Sequence, residues 1–213
     1  MTLTPDHVFV CPEDAAAAES ALTGFGLQFG RRDVHRGQGT ANACAFFDNA
    51  YLELLWRYDD DELQSETVRA VALWERVRWR ETGASPFGIA LRPGTDPVPV
   101  ETWAYEAPFL PAGSTIPVVT PPFTPREPLV FLSLVPVEHS PPLKQRGARR
   151  RLTGVTVCGP DMSRLSPGLR ALCELDVFRT RDAAEPLLEL DWDGAHSNGF
   201  HDFRPALPLI LRW

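Results

Sequence analysis

The chain has 213 residues, 44% of them hydrophobic, which is enough apolar surface for one large core or two small ones and argues against global disorder. Twenty-one Lys and Arg against 28 Asp and Glu leave a net charge of −7, which speaks against a nucleic-acid binder or a polybasic membrane anchor. No run approaches the roughly 18 uninterrupted apolar residues of a spanning helix. The opening MTLTPDHVFV also lacks the basic-then-apolar layout of a signal peptide, so a cytoplasmic protein is expected.

In chain order, His7 to Cys11 (HVFVC) reads as a short strand, and the acidic residues of CPED followed by an alanine-rich stretch ending at glycine read as a helix and its stop. Leu27 to Val34, Thr40 to Phe47 and Tyr51 to Trp56 supply three more apolar runs, separated by the glycine-bearing HRGQG and by Asp48-Asn49, a tight-turn pair. Residues 1–57 therefore spell β-α-β-β-β. Asp59 to Arg80 begins acidic and ends in arginines, as the helix dipole prefers, with Val68, Val71, Leu73, Trp74, Val77 and Trp79 near helical spacing. One connecting helix packed on a sheet is expected there.

Phe87 to Leu91 is a further strand, after which Pro93 to Pro142 holds 13 of the 21 prolines, so little regular structure is expected beyond Leu129 to Val135. Trp103, Tyr105, Phe109, Phe123 and Phe131 favour a rigid insert over a disordered linker, giving residues 58–151 as a connecting helix plus insert. From Leu152 the opening pattern returns: LTGVTVCGPD, SRLSPGLRALCEL, LDVFRTR, PLLELDW and PALPLILRW again give β-α-β-β-β over 152–213. Val8 to Cys11 can be laid on Val155 to Cys158 with the following helices in step. The expected class is α+β, two such modules in one cupped mixed sheet with a connecting helix and a proline-rich insert.

Cys11, Cys44, Cys158 and Cys173 form no CxxC pair and read as buried structural thiols. Lys144, the single lysine, lies in a Pro/Arg-rich loop with no apolar pocket beside it, and the basic run Gln145 to Arg151 reads as a solvated loop. His139, His196 and His201 fall in loops or turns, and no serine occupies a GxSxG elbow.

Three segments carry a resemblance: Asp6-His7-Val8, then His35-Arg36-Gly37-Gln38-Gly39-Thr40-Ala41-Asn42, then Asn49-Ala50-Tyr51-Leu52-Glu53-Leu54-Leu55-Trp56. They resemble the vicinal oxygen chelate superfamily, and more narrowly its glyoxalase-like domain branch. The resemblance implies a cup built from two modules, with a divalent metal (Zn, Ni, Fe or Mn) held by residues on the first and fourth strand of each. Carried over, His7 matches the first-strand ligand and Glu53 the fourth-strand ligand, and both are candidate catalytic groups. His35, Asn42 and Trp56 are the candidate substrate-binding residues. In the second half His7 falls on Gly154, which has no donor, and Glu53 falls on Ile210. Matching Leu52-Glu53-Leu54-x-Trp56 to Leu188-Glu189-Leu190-x-Trp192 offers Glu189 as a third ligand. Without it two ligands remain, and a metal-free cup is favoured.

The expected function is a glyoxalase-like small-molecule enzyme, an isomerase or lyase acting on a carbonyl or vicinal-oxygen substrate, with a dioxygenase as the other chemistry of the fold. The competing reading is a non-catalytic binding or sequestering protein with a metal-free cup. A protein-interaction module resting on the proline-rich insert ranks last. The partner is a small molecule, with no nucleic acid and no membrane, and a homodimer is compatible with the resemblance.

Overall fold

Residues 3–95, 97–133, 150–193 and 198–213 are described by a computed structural model. Alternation sets the first strand: in β1 (Thr4–Val10), Val8 and Val10 join one buried cluster while Phe9 joins another, as a period of two requires of a strand covered on both faces. Then follow α1 (Ala15–Phe25), β2 (Phe29–His35), β3 (Thr40–Phe46) and β4 (Tyr51–Arg57), the expected β-α-β-β-β unit. Helix α1 starts where Asp14 accepts a hydrogen bond from the Ala17 amide and stops at Gly26, whose φ of 109° suits glycine.

The single connecting helix expected over 59–80 is instead four short ones, α2 (Asp60–Leu63), α3 (Glu66–Arg69), α4 (Leu73–Val77) and α5 (Trp79–Thr82). The cause is Arg76, which is only 1% exposed. Its guanidinium donates to the carbonyls of Val71 (3.1 Å), Ser85 (3.0 Å), Thr124 (3.2 Å), Pro125 (3.3 Å) and Glu127 (2.6 Å). A continuous helix would consume the Val71 carbonyl; here the chain breaks at Ala72, with φ of 54°, and offers it to the arginine. Burial lowers the Arg76 guanidinium to about 10, so it remains a cation at neutral pH.

Strands β5 (Phe87–Arg92), β6 (Trp103–Tyr105), β7 (Ile116–Val118) and β8 (Leu129–Leu132) complete the first sheet, in the order β2-β3-β4-β1-β5-β8-β7-β6. Its two halves match: β1 runs parallel to β4, β5 parallel to β8, and β1 and β5 meet antiparallel at the centre. Residues 87–132 thus fill the second half of the sheet, a place the sequence reading gave to 152–213. Strands β6 and β7 were hidden because each has three residues, too few to show alternation, and β7 contains Pro117. Of the insert's aromatic residues, Trp103, Tyr105 and Phe131 pack in the core on the His7 side, while Phe109 and Phe123 are exposed.

Residues from Leu152 onward build a separate sheet from β9 (Leu152–Gly159), β10 (Arg179–Asp182), β11 (Leu187–Trp192), β12 (Phe200–Asp202) and β13 (Leu209–Arg212), with α6 (Pro167–Glu174) after β9. The order β10-β9-β11-β13-β12 repeats β4-β1-β5-β8-β7, with the same alternation of parallel and antiparallel neighbours. The bulge repeats too. The β1 register slips between Pro5 and His7, leaving Asp6 as the extra residue, and the β9 register slips between Leu152 and Gly154, leaving Thr153. Laying Val8–Cys11 on Val155–Cys158 puts Asp6 on Thr153. The second sheet is therefore an abbreviated copy of the first, without counterparts of β2, β3 and β6.

Val8, Leu54 and Ile89 from the first sheet, and Val157, Leu188 and Leu211 from the second, share one core with α1 and α6 between them. The architecture is α+β, with large mixed sheets that curl without closing. Among the described residues no helix is long and apolar enough to cross a membrane.

Arg76 organises this framework by charge-assisted hydrogen bonds to five carbonyls from three segments of the chain. Arg76→Ala is expected to lower unfolding free energy by about 3 kcal/mol or more in urea titration; an unchanged midpoint would contradict the clamp.

Candidate functional site

Adjacent residues in a regular strand point to opposite faces, so Asp6 and His7 could not normally meet. The bulge re-aims Asp6: its Oδ2 lies 2.8 Å from His7 Nδ1, both side chains being buried. The other Asp6 oxygen accepts from Arg92 Nη2, at the end of β5. Burial alone would raise the Asp6 carboxyl, but the His7 hydrogen bond and the charges of His7 and Arg92 together outweigh it and hold the group below the ordinary value of 3.8. An ionised Asp6 has no proton to give, so His7 Nδ1 carries the hydrogen and Nε2 faces outward.

The His7 ring stacks on Tyr51 with centroids 4.3 Å apart and takes the edge of Phe131 at 5.6 Å. Its Nε2 lies 3.6 Å from Glu53 Oε2, longer than a hydrogen bond. Glu53 Oε1 accepts from Asn42 Nδ2 at 2.6 Å, and Asn42 Oδ1 accepts from the Asp33 amide at 2.8 Å, which fixes which way the Asn42 amide faces. Its remaining hydrogen reaches toward His35 Nε2 at 3.4 Å, while His35 Nδ1 donates to Thr40 Oγ1 at 2.9 Å. Burial lowers the His35 imidazole, with the charge of Glu53 acting against it. The array runs Arg92, Asp6, His7, Glu53, Asn42, His35 across the face.

The β2–β3 hairpin holds that array in place. Gly37 and Gly39 adopt φ of 81° and 79°, and a Cβ on Gly39 would lie 2.4 Å from the Asp59 carbonyl oxygen. Their amides both donate to Glu62 Oε2 on α2, at 2.7 and 3.0 Å. Gln38 donates to Thr40 Oγ1 and accepts from the Tyr105 hydroxyl, each at 3.0 Å, joining the hairpin to β6.

A glyoxalase-like domain model matches residues 6–142, the span from β1 to beyond β8. The chain belongs to the glyoxalase-like domain family of the vicinal oxygen chelate superfamily. The crystal structure of a hypothetical protein from Staphylococcus aureus is similar across both sheets, with a TM-score of 0.63 at 12% identity, covering 100% of this chain and 99% of that one. No curated protein matches the chain.

The family implies a divalent metal, and the donor set here does not fit one. His7 and Glu53 offer one nitrogen and one oxygen, their other polar atoms being held by Asp6 and Asn42. Along the same sheet row, the partner of His7 on β5 is Ala90 and the partner of Ala90 on β8 is Phe131, neither a metal donor. Among the described residues no group of three His, Cys, Asp or Glu converges for a cation.

Glu189, expected as the third ligand, lies on β11 of the other sheet. Its neighbours Leu188 and Leu190 face the shared core, so Glu189 faces away from the first sheet, where Arg181 and Arg212 (3.2 Å) pair with it. Its LELxW match to Glu53 was a likeness between strands of different sheets. Trp56, expected to bind substrate, falls on the opposite face of β4 from Glu53 and packs on the shared core, as odd and even positions must.

Of the remaining histidines, His201 is exposed on β12 against Phe25 and Phe203, while His139 and His196 lie outside the described residues, as does Lys144. Cys11 and Cys44 are buried; burial pushes the Cys11 thiol to about 12 and raises Cys44 as well, with Glu53 adding to both. Sequence reasoning missed Asp6 as a partner, together with Arg92, Tyr51 and Gln38. The signal for Asp6 was available: Pro5-Asp6-His7 places two consecutive polar residues in a strand whose alternation cannot accommodate both.

A depressed Asp6 carboxyl stabilises the fold above its unfolded value of 3.8, and that contribution is lost as pH falls through the lower folded value. Urea denaturation should find Asp6→Asn less stable than wild type above about pH 5, with the gap closing in more acid solution. A gap of constant size across that range would contradict the assignment.

Proposed function

We propose that this cup catalyses proton transfer on a small carbonyl compound, an isomerase or lyase reaction carried by this chain's own side chains. The observation that carries the reading is the buried Asp6–His7···Glu53–Asn42 array, an imidazole with one nitrogen anchored to a carboxylate and the other turned toward a second carboxylate. His7 Nε2 takes the proton from the carbon next to the carbonyl, and the electron pair moves into the carbonyl as an enolate. The resulting imidazolium lies between Asp6 and Glu53, both able to stabilise its charge. Return of the proton to the former carbonyl carbon, with the substrate's hydroxyl proton passing to the enolate oxygen, completes an isomerisation; its delivery to a group expelled by the enolate completes an elimination. Tyr51 and Phe131 hold the ring plane, and Asn42 keeps Glu53 turned to it.

A binding protein is the second reading, favoured by the apolar Ala90 and Phe131 in the His7 row. The two separate in one experiment: 2-hydroxyketones, 2-hydroxyaldehydes and 2-oxo acids incubated in D2O, with proton NMR following loss of the signal next to the carbonyl. Wild type should exchange at least one class, and His7→Gln and Glu53→Gln should each slow it by about 100-fold or more. Compounds that shift the Tyr51 resonances without any exchange would establish the binder and overturn the enzyme.

A further inference from the structure

His35 takes no part in the proton transfer proposed above, yet it closes the array, half-buried and stacked against Phe109 with ring centroids 4.6 Å apart. Its neighbours fix the hydrogen-bond directions around it. Because the Asp33 amide donates to Asn42 Oδ1 (2.8 Å), the Asn42 nitrogen turns both its hydrogens the other way. One goes to Glu53 Oε1 at 2.6 Å, and the second points at His35 Nε2 at 3.4 Å. That ring nitrogen must therefore present its lone pair, and the ring hydrogen sits on Nδ1, where Thr40 Oγ1 accepts it at 2.9 Å.

Only the neutral ring fits this pattern. A second proton, on Nε2, would set an N–H against the Asn42 N–H with no acceptor between them. The ring is held against swinging away, since Thr40 is itself tied to Gln38 and Gln38 to the Tyr105 hydroxyl, each at 3.0 Å. Turning the Asn42 amide over gives the imidazolium an acceptor in Oδ1, but sets that same oxygen against the Glu53 carboxylate, and the bond that orients Glu53 is lost.

We infer that His35 is a positioning residue operated by a proton: neutral, it lets Asn42 hold Glu53 toward His7, and protonated, it turns the Asn42 amide over and releases Glu53. As a statement about catalysis this rests on the proton-transfer reading of the cup, while the linkage itself needs no substrate. Its surroundings set the pH at which it acts. Burial lowers the ring below its ordinary 6.5; Glu53 on β4 and Asp33 on β2 favour the imidazolium, whereas Arg31 on β2 and a protonated His7 on β1 oppose it. Glu62 on α2 faces the same hairpin, with one oxygen taken by the Gly37 and Gly39 amides. The array is thus intact at neutral pH and opens in acid.

Nitrogen-15 NMR of the Asn42 side-chain amide, assigned with Asn42→Asp and followed from about pH 8 to about pH 5 beside the ring titrations of His35 and His7, tests the linkage. In wild type the amide pair should shift and lose its protection from exchange with water at the His35 midpoint, below 6.5. In His35→Gln, whose amide oxygen can accept from Asn42 at every pH, the pair should keep its neutral-pH position, and His7→Gln should leave the transition in place. An Asn42 amide that stays still through the His35 titration, one that follows the His7 midpoint instead, or a transition that survives in His35→Gln would overturn the inference; the wild-type comparison alone decides the first two. Failure of every carbonyl compound to exchange in D2O would remove the reading of the cup and leave the amide titration to decide His35.

Discussion

One extra residue in β1 governs the chemistry of this protein. Without the bulge at Asp6, that carboxylate would face the other side of the sheet, buried among Val8, Val10 and Leu91 with no cation to meet it. With the bulge, Asp6 joins Arg92 on one side and His7 on the other, and His7 in turn has one nitrogen fixed and one free. Everything downstream adjusts to that ring: Tyr51 stacks on it, Glu53 approaches it, and Asn42 Nδ2 donates to Glu53 while its Oδ1 is fixed by the Asp33 amide on the neighbouring strand. The hairpin glycines and Glu62 then lock the strand that carries Asn42.

The same bulge recurs at Thr153, and comparison of the copies indicates what each sheet became. Where the first has His7 opposite Ala90 and Phe9 opposite Gly88, the second has Gly154 opposite Asp191 and Thr156 opposite Glu189. A Cβ on Gly154 would meet the Asp191 side chain, 2.5 Å from its Oδ2. The His7–Glu53 pair lies on the first sheet, while the second sheet contributes its apolar side to the shared core and turns an arginine-paired Glu189 away from the first.

The first module was legible in the sequence because its strands are long enough to alternate and its helix carries its own start and stop, Asp14 and Gly26. The resemblance named His7, Glu53, His35 and Asn42 as candidates, and the structure brings these four side chains together. Trp56 does not join them, and the period of two already sets it opposite Glu53 on β4. The second half of the sheet was illegible for a physical reason: β6 and β7 are three residues long, the described residues between β5 and β6 form no helix, and prolines mask the pattern. The visible repeat at Leu152 therefore took its place, a true duplication assigned to the wrong sheet. The broken helix was equally out of reach, since Arg76 draws its five carbonyl partners from segments as distant as Glu127.

In the proposed reading His7 is an acid–base group anchored by Asp6, and its surroundings supply too few donors for a resident metal. Nitrogen-15 NMR of the histidine side chains, with His7 assigned from His7→Gln and spectra taken at neutral pH with and without equimolar zinc, tests this most directly. The account predicts a proton on Nδ1, a signal that changes in Asp6→Asn, and no response of Nε2 to zinc. An Nδ1 without a proton, or an Nε2 resonance displaced by equimolar zinc, would contradict it.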